Sequence, residues 1–217
     1  MANRRIQLSR LYAIVDAGSF ARAKDPNAAL VNHARSLVKG GVRLIQYRNK
    51  QGSARDMLEQ ARALKKSVGR KALLIFNDRA DLCLAAGFDG VHLGQEDLSV
   101  AGARAVVGRR RWVGVSTHNL KQVREAAQST ADYLAIGPVF STTSKERPDP
   151  VVGLVGVRAA RRATRKTLVA IGGITRANCR AVIAAGADAV AVLSGLLESP
   201  RKSSQEFLKL LGEKERK

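Results

Sequence analysis

The chain has 217 residues, 45% of them hydrophobic and only 4% aromatic, with a formal net charge of +20. That length suits one α/β barrel with a sizeable core. No run approaches the roughly eighteen consecutive apolar residues of a membrane span, and the basic N-terminal segment MANRRIQLSR lacks the apolar core of a signal peptide, so a cytoplasmic protein is expected.

Short apolar runs alternate with helical patterns throughout. The expected strands are 11–16, 42–48, 72–77, 90–94, 112–117, 133–140, 167–173 and 189–195. The expected helices are 27–39, 53–68, 79–86, 100–107, 119–129, 155–165, 176–185 and 203–211. Start and stop signals support them: Asp25-Pro26-Asn27 before the first helix, Gly40-Gly41 after it, Asn119 opening the fifth and Gly186 closing the seventh. Eight strand-helix units with nearly continuous apolar strands specify a single-domain TIM (β/α)8 barrel over 1–217, with a charged tail at 212–217. An open doubly wound sheet is the lesser alternative.

The basic excess fits either a nucleic-acid surface or a shell that speeds capture of phosphorylated ligands. It is spread over RAVVGRRR (104–111), VRAARRATRK (157–166) and GEKERK with almost no aromatics among it, which favours the second reading. Cys83 and Cys179 fall in separate expected helices and read as buried free thiols.

A barrel builds its site from the C-terminal ends of its strands, and polar residues crowd those ends. Strand 2 ends in Gln46-Tyr47-Arg48-Asn49-Lys50, where Gln46, Arg48 and Lys50 share one face; an Arg and a Lys there suit a diphosphate. Strand 3 ends in Asn77-Asp78 and strand 4 in Gly94-Gln95-Glu96-Asp97, so parallel neighbours make Asp78 and Asp97 neighbours too. Two close carboxylates suit Mg²⁺; helix capping by each is the alternative. Strand 5 ends in Ser116-Thr117-His118. Gly172 and Gly173 at the end of strand 7, with Leu193 and Ser194 at the end of strand 8, read as a second phosphate site. The connection 141–153, with Thr142-Thr143-Ser144-Lys145, reads as a loop that closes over substrate. His92 reads as a core histidine, His33 as a helix-surface residue and His118 as a polar rim contact; no dinucleotide fingerprint or P-loop occurs. Two anion sites and a metal pair without a nucleophile point to transfer of a group from a diphosphate to a phosphorylated acceptor.

In QYRNK, NDRADLCLAAGFDGVHLGQEDL, VGVSTH, DYLAIGPVFSTTSK, AIGGI and GADAVAVLSG, taken in order, the chain resembles the thiamine phosphate synthase family. The resemblance implies a TIM barrel that joins a hydroxymethylpyrimidine diphosphate to a thiazole phosphate, releasing pyrophosphate through a dissociative, Mg²⁺-dependent path. Carried over by motif, Gln46, Tyr47, Arg48, Asn49, Lys50, Asn77, Ser116 and Lys145 would contact the pyrimidine diphosphate, with Arg48, Lys50, Ser116 and Lys145 catalytic. Thr142, Thr143, Ser144, Gly173, Leu193 and Ser194 would contact the thiazole phosphate, and Asp78 and Asp97 would hold the metal. The family's usual T-x-T-K reads Thr142-Thr143-Ser144-Lys145 here, keeping the hydroxyl and losing a methyl. The rivals are a thiazole tautomerase, which needs neither the metal pair nor the diphosphate grip, and a basic nucleic-acid-binding barrel. Phosphorylated small molecules are the expected partners, with a homo-oligomer left open.

Overall fold

The computed structural model describes residues 8–142 and 149–213. Eight parallel strands, β1 (Leu11–Asp16), β2 (Leu44–Arg48), β3 (Leu73–Asn77), β4 (Gly90–Leu93), β5 (Trp112–Thr117), β6 (Tyr133–Ile136), β7 (Thr167–Ile171) and β8 (Ala189–Val192), close into a barrel in sequence order. The surrounding helices are α1 (Pro26–Lys39), α2 (Ala54–Val68), α3 (Ala80–Ala85), α4 (Val100–Val107), α5 (Leu120–Gln128), α6 (Gly153–Ala163), α7 (Cys179–Ala184) and α8 (Pro200–Leu210). No helix among the described residues is long and apolar enough to cross a membrane.

Strand alternation divides the core in two. Leu11, Ala13, Val15, Ile45, Tyr47, Leu74, Phe76 and Val91 face outward and pack under the helices. Tyr12, Ile14, Leu44, Ile75, Tyr133, Ala135, Val169 and Ala191 fill the barrel.

The helix starts follow their capping chemistry. Asp25, Ser53, Ser99 and Asn119 each accept a first-turn N–H, from Ala28, Asp56, Gly102 and Gln122. Several strands end earlier than expected. β6 stops at Ile136, before the cis Gly137–Pro138 peptide, because proline cannot donate to the ladder. β7 stops at Ile171, before Gly172 and Gly173 at φ 98° and 63°. β8 stops at Val192 and turns into a short 3₁₀ segment, Ser194–Leu196. Helix α7 starts three residues later than expected, because Asn178 Oδ1 accepts from Thr175 N–H and closes a turn there first.

The N-terminal rim carries one device three times. Asp89, Asp132 and Asp188 directly precede β4, β6 and β8, and each carboxylate accepts the N–H of the first residues of the strand before, Leu74, Val113 and Leu168, at 2.7–2.9 Å. Each is also paired with a cation from the helix under it: Lys65 of α2, Arg104 of α4 and Arg161 of α6. The aspartates satisfy backbone donors and locate helices together.

Candidate active site at the C-terminal rim

On β2 the register pairs Asp16 with Arg48. Both side chains continue the inward rows, and Arg48 Nη1 meets Asp16 Oδ1 at 2.5 Å with 24% and 14% of the side chains exposed. Gln46, one inward position deeper, is buried and donates from Nε2 to the Tyr12 hydroxyl at 2.9 Å. Lys50 lies just past the strand and reaches Asp78 Oδ2 at 2.5 Å. The shared face expected for Gln46, Arg48 and Lys50 therefore brings all three to the mouth.

Tyr47 and Asn49, between them, do not join that face. Tyr47 points outward, fully buried against Phe76 and Phe88, and its hydroxyl donates to Gln60 Oε1 at 2.6 Å. Asn49 Oδ1 accepts from Gln51 and Gly52 N–H, and its Nδ2 donates to Gln60, so its amide shapes the β2–α2 loop. The Tyr47 side chain leaves the mouth because consecutive strand residues alternate sides, and the Asn49 side chain is held by the loop that follows β2.

Asp78 follows β3 at φ 65°, in the left-handed region, which few residues besides glycine and asparagine or aspartate occupy. Its N–H donates to the His92 carbonyl at 2.7 Å, and Arg79 N–H donates to the Asn77 carbonyl at 2.8 Å. That tight turn takes Asp78 out of the capping role: Arg79 stands at the N-cap of α3 without a side-chain cap, and Ser99, not Asp97, caps α4. Asp97 instead folds back, its Oδ2 accepting from Gly94 N–H at 2.7 Å. A Cβ at Gly94 would stand 2.9 Å from that oxygen, so glycine opens the approach. The two carboxyl groups meet. Burial, followed by a hydrogen bond and charge repulsion from Asp78, pushes the Asp97 carboxyl above the usual carboxylate range, against the pull of Gly94 N–H and Lys50.

A carboxyl destabilised by its neighbour is what a divalent cation relieves, and hard oxygen donors suit Mg²⁺. Among the described residues no group of three or more His, Cys, Asp or Glu could hold a metal. Two carboxylates with waters and substrate oxygens form the kind of set that Mg²⁺ takes. Asn77 faces the same side, and its Nδ2 is buried without a partner among the described residues.

Opposite, Ser116 Oγ of β5 stands 2.9 Å from His92 Nε2, and its carbonyl accepts from Gln95 Nε2 at 2.5 Å. His92 is a buried core histidine, as expected, yet it touches a site residue. Burial lowers its pKa to about 4 despite the opposing charge of Asp97. His118 Nδ1 stands 2.7 Å from the Gly137 carbonyl and 3.5 Å from Asp149 Oδ2, fixing the start of the β6–α6 connection. His33, expected on a helix surface, is instead buried against Phe20, because the inner face of α1 carries it toward the 3₁₀ turn after β1.

At the far side of the mouth, Val139 and Phe140 N–H donate to the Ile171 and Gly172 carbonyls. A Cβ at Gly173 would stand 2.5 Å from the Ser141 carbonyl, so Gly173 lets the β6–α6 connection lie against the end of β7. Leu193 and Ser194 begin the turn after β8, Leu193 half-buried and Ser194 exposed. Thr143, Ser144 and Lys145 lie outside the described residues. Sequence reasoning missed Asp16, Tyr12, Tyr133 and Gln95. Strand alternation could have found the first two, since Tyr12, Ile14 and Asp16 form the inward row of β1.

A family model described as thiamine monophosphate synthase matches residues 11–196. A thiamine-phosphate synthase from Koribacter versatilis is 58% identical over 207 residues, covering 95% of this chain and 97% of that one. Another from Chloroflexus aurantiacus is 42% identical over 189 residues, covering 87% and 85%. The solved structure of thiamine phosphate pyrophosphorylase from Pyrococcus furiosus matches with a TM-score of 0.81 at 32% identity, covering 94% of this chain and 96% of that one. The chain belongs to the thiamine monophosphate synthase family.

Proposed function

We propose that the chain joins 4-amino-2-methyl-5-hydroxymethylpyrimidine diphosphate to thiazole phosphate, or to its carboxylated form with loss of CO2, giving thiamine phosphate and pyrophosphate. The bond between the pyrimidine methylene and the diphosphate oxygen breaks, and its electron pair leaves with pyrophosphate. The thiazole nitrogen lone pair then forms the new C–N bond to the methylene. No protein nucleophile is needed, so the site's work is positioning and charge stabilisation.

The observation that carries this reading is the convergence of Asp78, Asp97, Lys50 and Arg48 on one side of the mouth. Arg48 offers a planar fork and Lys50 a point charge to diphosphate oxygens. Asp78 and Asp97 would hold Mg²⁺, which when bound offsets the charge developing on the departing pyrophosphate. Ser116 and Asn77 orient the pyrimidine side. Lys145 adds a further charge to the diphosphate, and Thr142, Thr143, Ser144, Gly173, Leu193 and Ser194 hold the thiazole phosphate.

Incubation of the purified chain with both substrates and Mg²⁺ should yield thiamine phosphate and pyrophosphate in equal amounts, and chelation should stop both. Isomerisation of the thiazole carboxylate phosphate without coupling would replace this reading with a tautomerase.

A further inference from the structure

Gln60 of α2 joins three pieces of the chain behind the mouth. Its Oε1 accepts from the Tyr47 hydroxyl at 2.6 Å and from Asn49 Nδ2 at 3.1 Å, and its Nε2 donates at 2.7 Å to Asn27 Oδ1 in the first turn of α1. Tyr47 and Asn49 flank Arg48, and Asn49 directly precedes Lys50. The two side chains that leave the mouth therefore share one acceptor, while the two cations beside them face the mouth.

Backbone donors fix which atom each amide presents. Gln51 N–H and Gly52 N–H reach the same Asn49 atom at 3.0 and 2.8 Å, and a backbone N–H needs an acceptor, so that atom is Oδ1. Asn49 then turns its NH2 to Gln60, which makes the Gln60 atom it meets the carbonyl oxygen. The Tyr47 hydroxyl donates to that oxygen too, and the Gln60 NH2 is left for Asn27. Gly52 gives the amide its room, since a Cβ there would stand 2.5 Å from Asn49 Nδ2.

Lys50 depends on this anchor more than Arg48 does. Arg48 is held by the ladder, opposite Asp16, and by its ion pair with that residue. β2 ends at Arg48, so Asn49 and Lys50 lie beyond the strand. The start of α2 is firm, because Ser53 and Asp56 form a reciprocal capping box, and half-buried Gln60 stands one turn past Asp56. The bond from Asn49 to Gln60 ties the departing chain to that helix and sets where the Lys50 ammonium stands.

We propose that Gln60 is a positioning residue: its side-chain carbonyl holds Asn49 outward and thereby aims Lys50 into the mouth. The inference rests on the proposed function for the diphosphate that Lys50 meets, though the anchoring of the loop does not.

The test measures kcat/KM in Gln60→Leu, Gln60→Glu, Lys50→Ala and the Gln60→Leu/Lys50→Ala double variant, together with amide hydrogen exchange at Gln51 and Gly52. Gln60→Leu should lower kcat/KM for the pyrimidine diphosphate by about tenfold or more, leaving KM for the thiazole phosphate within about twofold of wild type. Gln60→Glu should recover to within about threefold of wild type, because a carboxylate keeps the acceptor and exposed Asn27 can turn its amide to donate. With Lys50 already removed, Gln60→Leu should cost no more than about twofold further. Exchange at Gln51 and Gly52 should quicken about fivefold in Gln60→Leu and stay as in wild type in Gln60→Glu. A Gln60→Leu cost that is equal with and without Lys50 overturns the proposal, as does a Gln60→Glu variant as impaired as Gln60→Leu, or exchange unchanged in Gln60→Leu. If the wild-type chain forms no thiamine phosphate, the functional reading fails by itself, and exchange in the two single Gln60 variants still decides whether Gln60 anchors the loop.

Discussion

The two rims of the barrel use charge in opposite ways. At the N-terminal rim each of Asp89, Asp132 and Asp188 has a cation and a backbone N–H. At the C-terminal rim Asp97 faces the like charge of Asp78, and among the described residues Lys50 pairs with Asp78. The first arrangement holds the fold together without further ligands. The second brings two like charges together. The proposed Mg²⁺ would relieve that repulsion.

Substitutions should separate the rims. Asp78→Asn and Asp97→Asn are expected to lower pyrophosphate release by about 10³-fold or more while leaving the urea midpoint unchanged or higher, since each removes a like-charge contact. Arg48→Ala should cost about 10²-fold in kcat/KM in steady-state assays, and it frees Asp16 from its pairing. Asp132→Ala reverses the pattern. It strands the Val113 N–H and takes the carboxylate from Arg104, lowering stability by about 2–3 kcal/mol in chemical denaturation, with kcat/KM within about twofold of wild type.

The smallest effect expected near neutral pH concerns His33. Burial holds its pKa down to about 4, against an ordinary 6.5, and its Nε2 has no partner among the described residues. The unfolded chain therefore takes up the proton first as pH falls. Stability from this group is complete above about pH 6.5 and erodes on the way down to about pH 4. Denaturation midpoints over that range should show the decline, and His33→Leu should flatten part of it. His92 contributes in the same direction.

The fold was legible because each strand is an apolar run bounded by turn chemistry and several of the longer helices have their cap in the sequence. Asp25, Ser53 and Asn119 all act as their types imply. The neighbourhood of Asp78 and Asp97 was legible for a topological reason: consecutive parallel strands place their ends together. The Tyr47 side chain points away from the mouth because a strand sends alternate residues to opposite faces, whereas a motif transfers as a contiguous block. His33 was misplaced because a histidine among polar neighbours looks solvated until α1 is set against the 3₁₀ turn that holds Phe20. The place of Gln60 was hidden for a different reason. Its partners lie on α1, on β2 and in the loop after β2, and only the packing of α2 shows that one acceptor serves two of them.

The most direct test of the metal pair is the Mg²⁺ dependence of pyrophosphate release in the wild-type chain and in Asp97→Asn, with both substrates saturating. The pair predicts that half-maximal activity in the variant needs Mg²⁺ raised on the order of 10²-fold, and that chelation abolishes turnover in the wild type. Equal Mg²⁺ dependence in the two proteins, or turnover that survives chelation, would contradict it.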